Sequence, residues 1–239
     1  MTATPTFTLR TYDNTASEAA LRQIAAEGEV PASGEGPMTA LLQKGVLVFG
    51  GARPGQHASY TEEAAALGTY IAQTLQRPLV YGGGTVGIMG AAAQAAASAG
   101  GRVVAIIPAA LKPREASGDM IGDLVYTTET MSERKSIMFA HADTVVALPG
   151  GVGTFDELLE VITLHQLNAY RPKIGVVNAN HFFDPFLQLL RHLIAEGFVE
   201  EAVLDMVVVR PTALELMEAL RDMPLPQSST KSLVWNHRP

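Results

Sequence analysis

The most informative stretch of this sequence is TVVALPGGVGTFDE, which runs from Thr144 to Glu157. Its apolar beginning, 144–148, is typical of a strand buried on both faces, and a helical pattern starts near Thr154. The glycines between them let the backbone approach a ligand closely, and the free N–H groups of a first helical turn suit a phosphate. The stretch therefore predicts a strand, a phosphate-binding loop and a helix that carries the carboxylate of Glu157 beside the anion.

The same alternation of strands and helices extends across most of the chain. Short apolar runs predict strands at 46–49, 79–81, 103–107, 124–127, 144–148, 174–177 and 207–209. Helical patterns occur at 59–76, 88–99, 131–142, 154–167, 185–196 and 212–221, and Ser59 and Glu62 match a capping box at the first of them. This alternation is typical of an α/β protein with a doubly wound, Rossmann-like parallel sheet flanked by helices. Ligands of such sheets bind beyond the carboxyl ends of the strands.

Length and composition favour a single large domain. The chain has 239 residues, of which 47% are hydrophobic, and this is enough for one sizeable core. We place the domain at 44–222. It follows an N-terminal extension and linker at 1–43, which includes a short predicted helix at 17–27, and it precedes a polar tail at 223–239.

Charge and residue usage argue against several classes of function. A net charge of −7 gives no sign of a basic face, so nucleic acid is not an expected partner. No apolar run reaches the roughly 18 residues of a membrane span, the N-terminus does not resemble a signal peptide, and we expect a cytoplasmic protein. The chain has no cysteine and its six histidines do not pair at metal-ligand spacing, so neither a disulfide nor a metal site is expected.

A second glycine loop follows the strand predicted at 79–81. Gly82, Gly84 and Gly87 match the G-x-G-x-x-G pattern of dinucleotide-binding proteins, but the next predicted strand, 103–107, ends without an acid to hold a ribose. Three interpretations stay open: a dinucleotide site, a tight turn with close helix packing, and a contact with the phosphate or ribose of a mononucleotide. A P-loop NTPase is disfavoured because no lysine follows the glycines.

Glu157 has both a structural and a functional interpretation. With Thr154 it matches a capping box, and an acid near a helix N-terminus gains from the helix dipole. Glu160 and Thr163 follow at steps of three, however, so all three would project from roughly one side of the helix. Because Glu160 stands among apolar neighbours, this side is a candidate wall of a pocket.

Arg134 and Lys135 stand at the start of the helix predicted at 131–142. In an arbitrary helix two such residues form a solvated charged turn. At a helix N-terminus they oppose the dipole, which is mildly unfavourable. An anionic ligand bound there would remove this cost, so both interpretations stay open.

Together these motifs resemble those of one family, the LOG ("lonely guy") proteins. The stretch 149–157 is similar to the family's PGGxGTxxE signature, and Arg134 and Lys135 are similar to the Arg–Lys pair that precedes it. The segment YGGGTVGIMG at 81–90 resembles the family's YGGGxxGLMG. Both glycine motifs occur in the family's order, each after a predicted strand, and the resemblance covers about residues 44–210.

The resemblance implies hydrolysis of the N-glycosidic bond of a nucleoside 5′-monophosphate, which releases an adenine-type base and ribose 5-phosphate. It implies that Arg134 and Glu157 are the catalytic pair and that no metal or organic cofactor is needed. It also implies a homodimer or higher homo-oligomer, with the active site near the subunit boundary. The substrate-binding residues that it implies are Gly84, Thr85, Glu115, Met131, Lys135, Gly150, Gly151, Val152, Gly153, Thr154, Asp156, Glu160 and Thr163.

This chemistry fits the residue types. Cleavage of an N-glycosidic bond passes through an oxocarbenium-like sugar, which a nearby carboxylate stabilises. The same carboxylate can activate water as a general base. An arginine can anchor a phosphate through two parallel hydrogen bonds and so fix the ribose against the acid.

Two departures from the family pattern bear on the choice of substrate. The loop GGARPG at 50–55 carries Arg53 where the family usually has small serine-type residues, and Ser132 stands where the family often has histidine. The choice between a cytokinin riboside 5′-monophosphate and AMP stays open. The alternative function is a non-catalytic nucleotide or cofactor carrier on the same fold, against which the presence of both Arg134 and Glu157 argues. Some relatives carry the label of lysine decarboxylase, but no lysine here is placed for a pyridoxal Schiff base.

Overall fold

The computed structural model describes residues 43–116 and 118–225. The helix predicted at 17–27, the linker after it and residues 226–239 of the polar tail lie outside these ranges. The division of the chain at 43 and 223 therefore stays a prediction.

Seven parallel strands of the described residues form one sheet. They are β1 (Gly45–Phe49), β2 (Leu79–Tyr81), β3 (Val103–Pro108), β4 (Leu124–Thr128), β5 (Ala142–Ala147), β6 (Lys173–Val177) and β7 (Val207–Arg210). Their order across the sheet is β4-β3-β2-β1-β5-β6-β7. The chain moves outward from β1 to β4 and then returns to the other side of β1, so the predicted doubly wound α/β fold is confirmed.

Helices alternate with these strands and cover both faces of the sheet. They are α1 (Ala58–Tyr70), α2 (Gly87–Ser98), α3 (Lys112–Glu115), α4 (Met131–Ala140), α5 (Val152–Gln166), α6 (Asp184–Ala195) and α7 (Ala213–Asp222). A π-helical segment, Ile71–Leu75, continues α1, and 3₁₀ turns occur at Ala109–Leu111, Ala179–His181 and Glu201–Met206. α1, α2 and α7 contribute to the core on one face, and α4, α5 and α6 to the core on the other.

The central strand shows how the two cores are built. Val46 and Val48 of β1 belong to the core with α1 and α2, whereas Leu47 and Phe49 belong to the core with α4 and α5. Since successive side chains of a strand point to opposite faces, a continuous apolar run suits a strand that is covered on both sides. Burial of each such side chain stabilises the fold by about 1.5–3 kcal/mol.

The start of α5 differs from the sequence prediction. The helix begins at Val152, two residues earlier than predicted, with Gly151 as its N-cap and no side-chain cap. The amides of Thr154 and Phe155 donate to the carbonyl of Gly151 at 3.0 and 3.3 Å. The backbone of the loop thus begins the helix, and the predicted capping box of Thr154 and Glu157 is wrong because both residues lie inside the helix.

The capping box predicted at α1 is also wrong. The N-cap is His57, and no side chain caps the helix, so Ser59 and Glu62 each lie two positions too far along the helix to form the motif. The Ser59 hydroxyl instead accepts a hydrogen bond from the Asn180 side-chain amide at 2.6 Å. A tertiary partner, which a local pattern does not reveal, has replaced the local one.

The junction of α4 and β5 moves for a similar reason. α4 ends and β5 begins two residues earlier than predicted. Between them, the His141 carbonyl accepts a hydrogen bond from the Gly45 amide at 2.7 Å, so pairing with β1 starts where the sequence pattern still favours helix. At its other end α4 has a cap that the sequence analysis missed, because the Thr130 hydroxyl accepts from the Glu133 amide at 3.1 Å.

The switch point of the sheet lies between β1 and β5, from which the chain proceeds in opposite directions. The loops that leave these strands touch there, since the Gly51 amide donates to the Pro149 carbonyl at 3.0 Å. The crevice at such a point is the usual ligand site of an open parallel sheet. The glycine-rich stretch from β5 to α5 therefore lies where the sequence analysis expects a ligand.

Candidate functional site

Two side chains of opposite charge meet where α4 and α5 begin. Arg134 belongs to the first turn of α4 and Glu157 to the second turn of α5, and Arg134 Nη1 donates to Glu157 Oε1 at 3.1 Å. The two residues are only 5% and 6% exposed. The interpretation of Arg134 as part of a solvated charged turn is therefore wrong.

The rest of the Arg134 guanidinium is held by the backbone. Nε donates to the Ile106 carbonyl at 3.3 Å, and Nη2 donates to the Gly82 carbonyl at 3.2 Å. Three of the five N–H donors of an arginine are thus directed at protein acceptors. This arrangement differs from the expected two-pronged grip on a phosphate, because the guanidinium is turned towards Glu157 and the ends of two strands.

Burial raises the pKa of Glu157 to about 7. The positive charges of Arg134 and Lys135 oppose this rise, whereas the negative charges of Asp156 and Glu115 add to it. Near neutral pH the carboxyl is consequently present in both its protonated and its ionised form, which suits a group that exchanges protons during a reaction. A strongly shifted buried acid next to a specific charge partner is also a common mark of a functional site.

Lys135 lies beside the buried pair and is paired in turn. Its Nζ atom is 2.5 Å from Glu160 Oε2 and 3.4 Å from Asp156 Oδ2. The ion pair with Glu160 raises the pKa of Lys135, although partial burial opposes the rise. The Asp156 side chain is more than half exposed, so this outer group of charges lies at the protein surface. Glu160, one of the acids predicted to face a pocket, faces Lys135.

The glycine loop between β5 and α5 combines a tight side and an open side. A Cβ atom at Gly150 would lie 2.7 Å from the Gly51 amide nitrogen, so only glycine fits at this position. At Gly151 and Gly153, by contrast, an added Cβ would have no described atom within 4 Å, and Val152 is 87% exposed. The first N–H groups of a helix lack intrahelical partners, and open space beside them suits an anion.

The second glycine loop is occupied by the protein's own backbone. In the first turn of α2, the amides of Ile88 and Met89 donate to the Gly51 carbonyl at 2.9 and 3.4 Å. The Thr85 amide donates to the Glu115 carbonyl at 3.0 Å. Donors that a dinucleotide would need for its pyrophosphate are thus already used, which favours the tight-turn interpretation of this loop.

The other residues implied by the family resemblance have varied surroundings. Gly84 and Thr154 are buried, Thr85 and Glu115 are half-buried, and Met131 is exposed. These positions all lie in the loops and helix starts that follow β2, β3, β4 and β5, at the carboxyl edge of the sheet.

Thr163 lies further away, six residues after Glu157 on α5 and nearly two helical turns along it. Its hydroxyl donates to the Leu159 carbonyl at 2.8 Å, an ordinary bond within a helix. Ion pairs therefore join Arg134 to Glu157 and Lys135 to Glu160, whereas the hydroxyl of Thr163 bonds within its own helix.

The two carbonyl groups that hold Arg134, those of Gly82 and Ile106, could not be predicted from the sequence. A backbone carbonyl has no signature in a sequence, since every residue carries one. The run of glycines at 82–84 was the one available signal, but it was interpreted as a ligand loop or a turn.

The part of the chain that the structure describes shows no group of three or more histidine, cysteine or acidic residues that could hold a metal ion. Within the same residues, no helix combines the length and apolar character needed to cross a membrane. The site consists of charged side chains, glycines and backbone groups.

The fold is similar to those of solved proteins that carry or bind the molybdenum cofactor. The Moco carrier protein from Chlamydomonas reinhardtii is similar with a TM-score of 0.56 and 21% identity, covering 75% of this chain and 96% of that one. The molybdenum cofactor binding protein of Rippkaea orientalis has a TM-score of 0.53 and 21% identity, with the same coverage. At this level of identity the similarity concerns the fold alone.

Comparison of the sequences is more specific. Residues 89–220 match the family described as "Possible lysine decarboxylase". The chain is 39% identical to cytokinin riboside 5′-monophosphate phosphoribohydrolase LOG of Oryza sativa subsp. japonica over 191 residues, which cover 80% of this chain and 77% of the relative. It is 38% identical to phosphoribohydrolase LOG2 of Arabidopsis thaliana over 193 residues, 80% of this chain and 90% of the relative. The resemblance of the motifs is thereby confirmed, and the chain belongs to the LOG family.

Proposed function

We propose that this protein hydrolyses the N-glycosidic bond of a nucleoside 5′-monophosphate and releases the free base and ribose 5-phosphate. The observation that carries the proposal is the buried pair of Arg134 and Glu157 beside an open helix N-terminus. The names of the relatives, which are phosphoribohydrolases of cytokinin riboside 5′-monophosphates, support it.

The proposed reaction depends on the carboxylate of Glu157. As the bond between C1′ and the base nitrogen breaks, its electrons leave with the base and positive charge develops on the sugar, where an adjacent carboxylate stabilises it. Water then supplies the oxygen that bonds to C1′, and the same carboxylate can accept one of its protons. The proton taken from water balances the one that the departing base gains at its nitrogen, and a pKa of about 7 for Glu157 allows the carboxylate to take up and release this proton near neutral pH.

We assign the 5′-phosphate to the open glycine loop and to Lys135. Residues 151–153 offer the unpaired N–H groups at the start of α5, and Lys135 stands close by through its contact with Asp156. We do not assign Arg134 to the phosphate. Its hydrogen bonds to Glu157, Gly82 and Ile106 support a role in orienting the carboxylate and in keeping part of it ionised.

The test is incubation of the purified protein with AMP and with isopentenyladenosine monophosphate, followed by chromatography for the free base. Glu157→Gln protein, purified in the same way, is the control for contaminating activity. Release of base by the wild-type protein alone supports the proposal, and no release from any nucleoside monophosphate overturns it. Binding of the nucleotides without release would identify a nucleotide carrier, the alternative function.

The same experiment decides between the two substrate classes. Comparable or faster release from isopentenyladenosine monophosphate indicates a recess that accepts the N6 substituent. Release from AMP alone keeps the reaction and removes cytokinin nucleotides from the proposal.

A homodimer or higher homo-oligomer in the cytoplasm belongs to the same proposal. It is supported by the resemblance to the LOG family, and light scattering coupled to size-exclusion chromatography measures the mass in solution. A mass of 25.4 kDa, that of one chain, would contradict the oligomer.

A further inference from the structure

We propose that Gly82 is a positioning residue for the hydrolysis inferred above. Because it has no side chain, it leaves room for the Arg134 guanidinium, and its carbonyl accepts a hydrogen bond that holds the guanidinium against Glu157. This inference rests on the proposed function only for its effect on turnover. Gly82 is the first residue of the second glycine loop. According to the proposal, this loop affects the site by holding Arg134 and not by contacting a nucleotide.

Arg134 fills the space beside Gly82 in which a side chain would lie. A Cβ atom added there would overlap Arg134 Nη2 and would lie 3.0 Å from Arg134 Cζ. Both residues are buried, and the guanidinium is tied to Ile106 and Glu157 by two further hydrogen bonds. A methyl group at position 82 therefore displaces the guanidinium from these partners.

The backbone conformation at position 82 does not explain the glycine. Gly83 and Gly87 have φ values of +80° and +69°, a region that favours glycine, whereas Gly82 is not among the residues of positive φ. The conformation of the chain consequently does not require glycine at position 82. What requires it is the neighbouring arginine.

The consequence for the site follows from the charges that face Glu157. These are the positive Arg134 and Lys135 and the negative Asp156 and Glu115. If the guanidinium moves away, the carboxyl keeps its burial and its negative neighbours but loses its main positive one. Gly82→Ala should then make Glu157 harder to ionise and leave the carboxylate less well oriented.

The first measurement needs no turnover. In protein labelled with ¹³C at the glutamate carboxyl carbons, the titration of Glu157 is followed by NMR, with the Glu157→Gln spectrum providing the assignment. We expect Gly82→Ala to move the midpoint of this titration to higher pH. An unchanged midpoint would overturn the proposal, and this result does not depend on whether the protein is a hydrolase.

The second measurement is turnover in a double-mutant cycle with Arg134→Ala. Gly82→Ala should lower kcat at least tenfold in the wild-type background but less than about twofold when Arg134 is already alanine, because the two changes remove the same interaction. The double variant also has room for the methyl group, so its Tm should equal that of Arg134→Ala. An equal fractional loss of kcat in both backgrounds would show that Gly82 acts independently of Arg134.

Gly175→Ala is the matched control. Gly175 is buried in β6, and a Cβ there would lie 2.7 Å from Leu216 Cδ1 of α7, on the face of the sheet opposite to α4 and its Arg134. This variant tests the effect of an overpacked glycine as such. It should lower Tm without moving the titration of Glu157, and a shift as large as that of Gly82→Ala would contradict the specific role.

Discussion

At the scale of single residues, the site depends on the burial of one acid and one base. Taking a carboxylate out of water is unfavourable unless it is paired and hydrogen-bonded, and the Arg134 guanidinium offsets only part of this cost, because the pKa of Glu157 stays raised to about 7. The protein thus keeps an acid poised between its two forms. Outer charges such as Lys135 and Asp156 are more exposed, and water weakens their interactions.

Glu157→Gln tests the catalytic role of the acid. The amide has nearly the same size and can still accept a hydrogen bond from Arg134, but it can neither stabilise a positive sugar as an anion nor take a proton. We expect kcat to fall by about 10²–10⁴-fold, while the Kd for the nucleotide, measured by calorimetry, changes by only a few-fold. Near-normal release of base would remove Glu157 from the mechanism.

The pH dependence of kcat tests the same group differently. Since the ionised form is the active one in the proposed reaction, and burial raises the pKa of Glu157 to about 7, kcat should rise with pH through about 7 and level off above it. Measurements at saturating AMP keep the titration of the free phosphate out of the profile. A profile that is flat between pH 5 and 8 would be incompatible with a catalytic carboxylate at Glu157.

At the scale of elements, the site is assembled by the starts of helices that follow different strands. α4 presents Arg134 and Lys135, α5 presents Glu157 and Glu160, and the loops after β1 and β2 support them. Because parallel strands bring these loops to the same edge, close packing of the helices on the sheet determines how well the groups are aligned. On the other face of the sheet, α1 and α2 approach each other closely at Gly68.

Gly68→Ala should destabilise the protein despite the general preference of helices for alanine. That preference favours the variant by about 0.5–1 kcal/mol, but a Cβ at position 68 would overlap the Ala92 carbonyl oxygen and lie 3.0 Å from the Ala96 backbone nitrogen on α2. Forcing two backbones apart in a packed core costs about 1–3 kcal/mol, so the second effect should win. Urea unfolding measures the difference, with Glu62→Ala on the exposed side of α1 as control. A variant more stable than wild type would mean that α1 and α2 move apart easily.

At the scale of the whole molecule, ionisation of the buried Glu157 lowers the stability of the folded protein. A carboxyl whose pKa is higher in the folded state than its ordinary value of 4.5 binds its proton more tightly when folded. The folded protein therefore loses stability relative to the unfolded chain as the pH rises from about 4.5 to about 7. The group that the proposed reaction needs in its ionised form is thus a group whose ionisation destabilises the fold.

Comparison of wild type and Glu157→Gln across pH tests this linkage. The free energy of unfolding of the wild type, minus that of the variant, should decrease by a few kcal/mol between about pH 4.5 and pH 7 and stay constant above that range. Glutamine at position 157 does not titrate, whereas all other groups titrate in both proteins. The difference in unfolding free energy therefore reports on Glu157. A constant difference across the whole range would mean that the pKa of Glu157 is the same in the folded and the unfolded protein.

Much of the fold and part of the site are local in origin and were predicted from the sequence. Seven apolar runs correspond to the seven strands of the sheet, and the alternation with helices implies a parallel sheet. The errors lie at helix starts: capping motifs predict the starts of α1 and α5, but the Ser59 hydroxyl bonds to the distant Asn180 and the backbone of Gly151 begins α5.

The class of fold, the sheet edge of the candidate site and the charged residues there can be inferred from the sequence. Apolar period, glycine content and motif order are properties of neighbouring residues, so they can be recognised along the chain. The contacts of Arg134 with Glu157 and with the Gly82 carbonyl, 52 residues away, become visible in the folded protein. The physical reason is that burial and hydrogen bonding depend on which distant groups the sheet brings together.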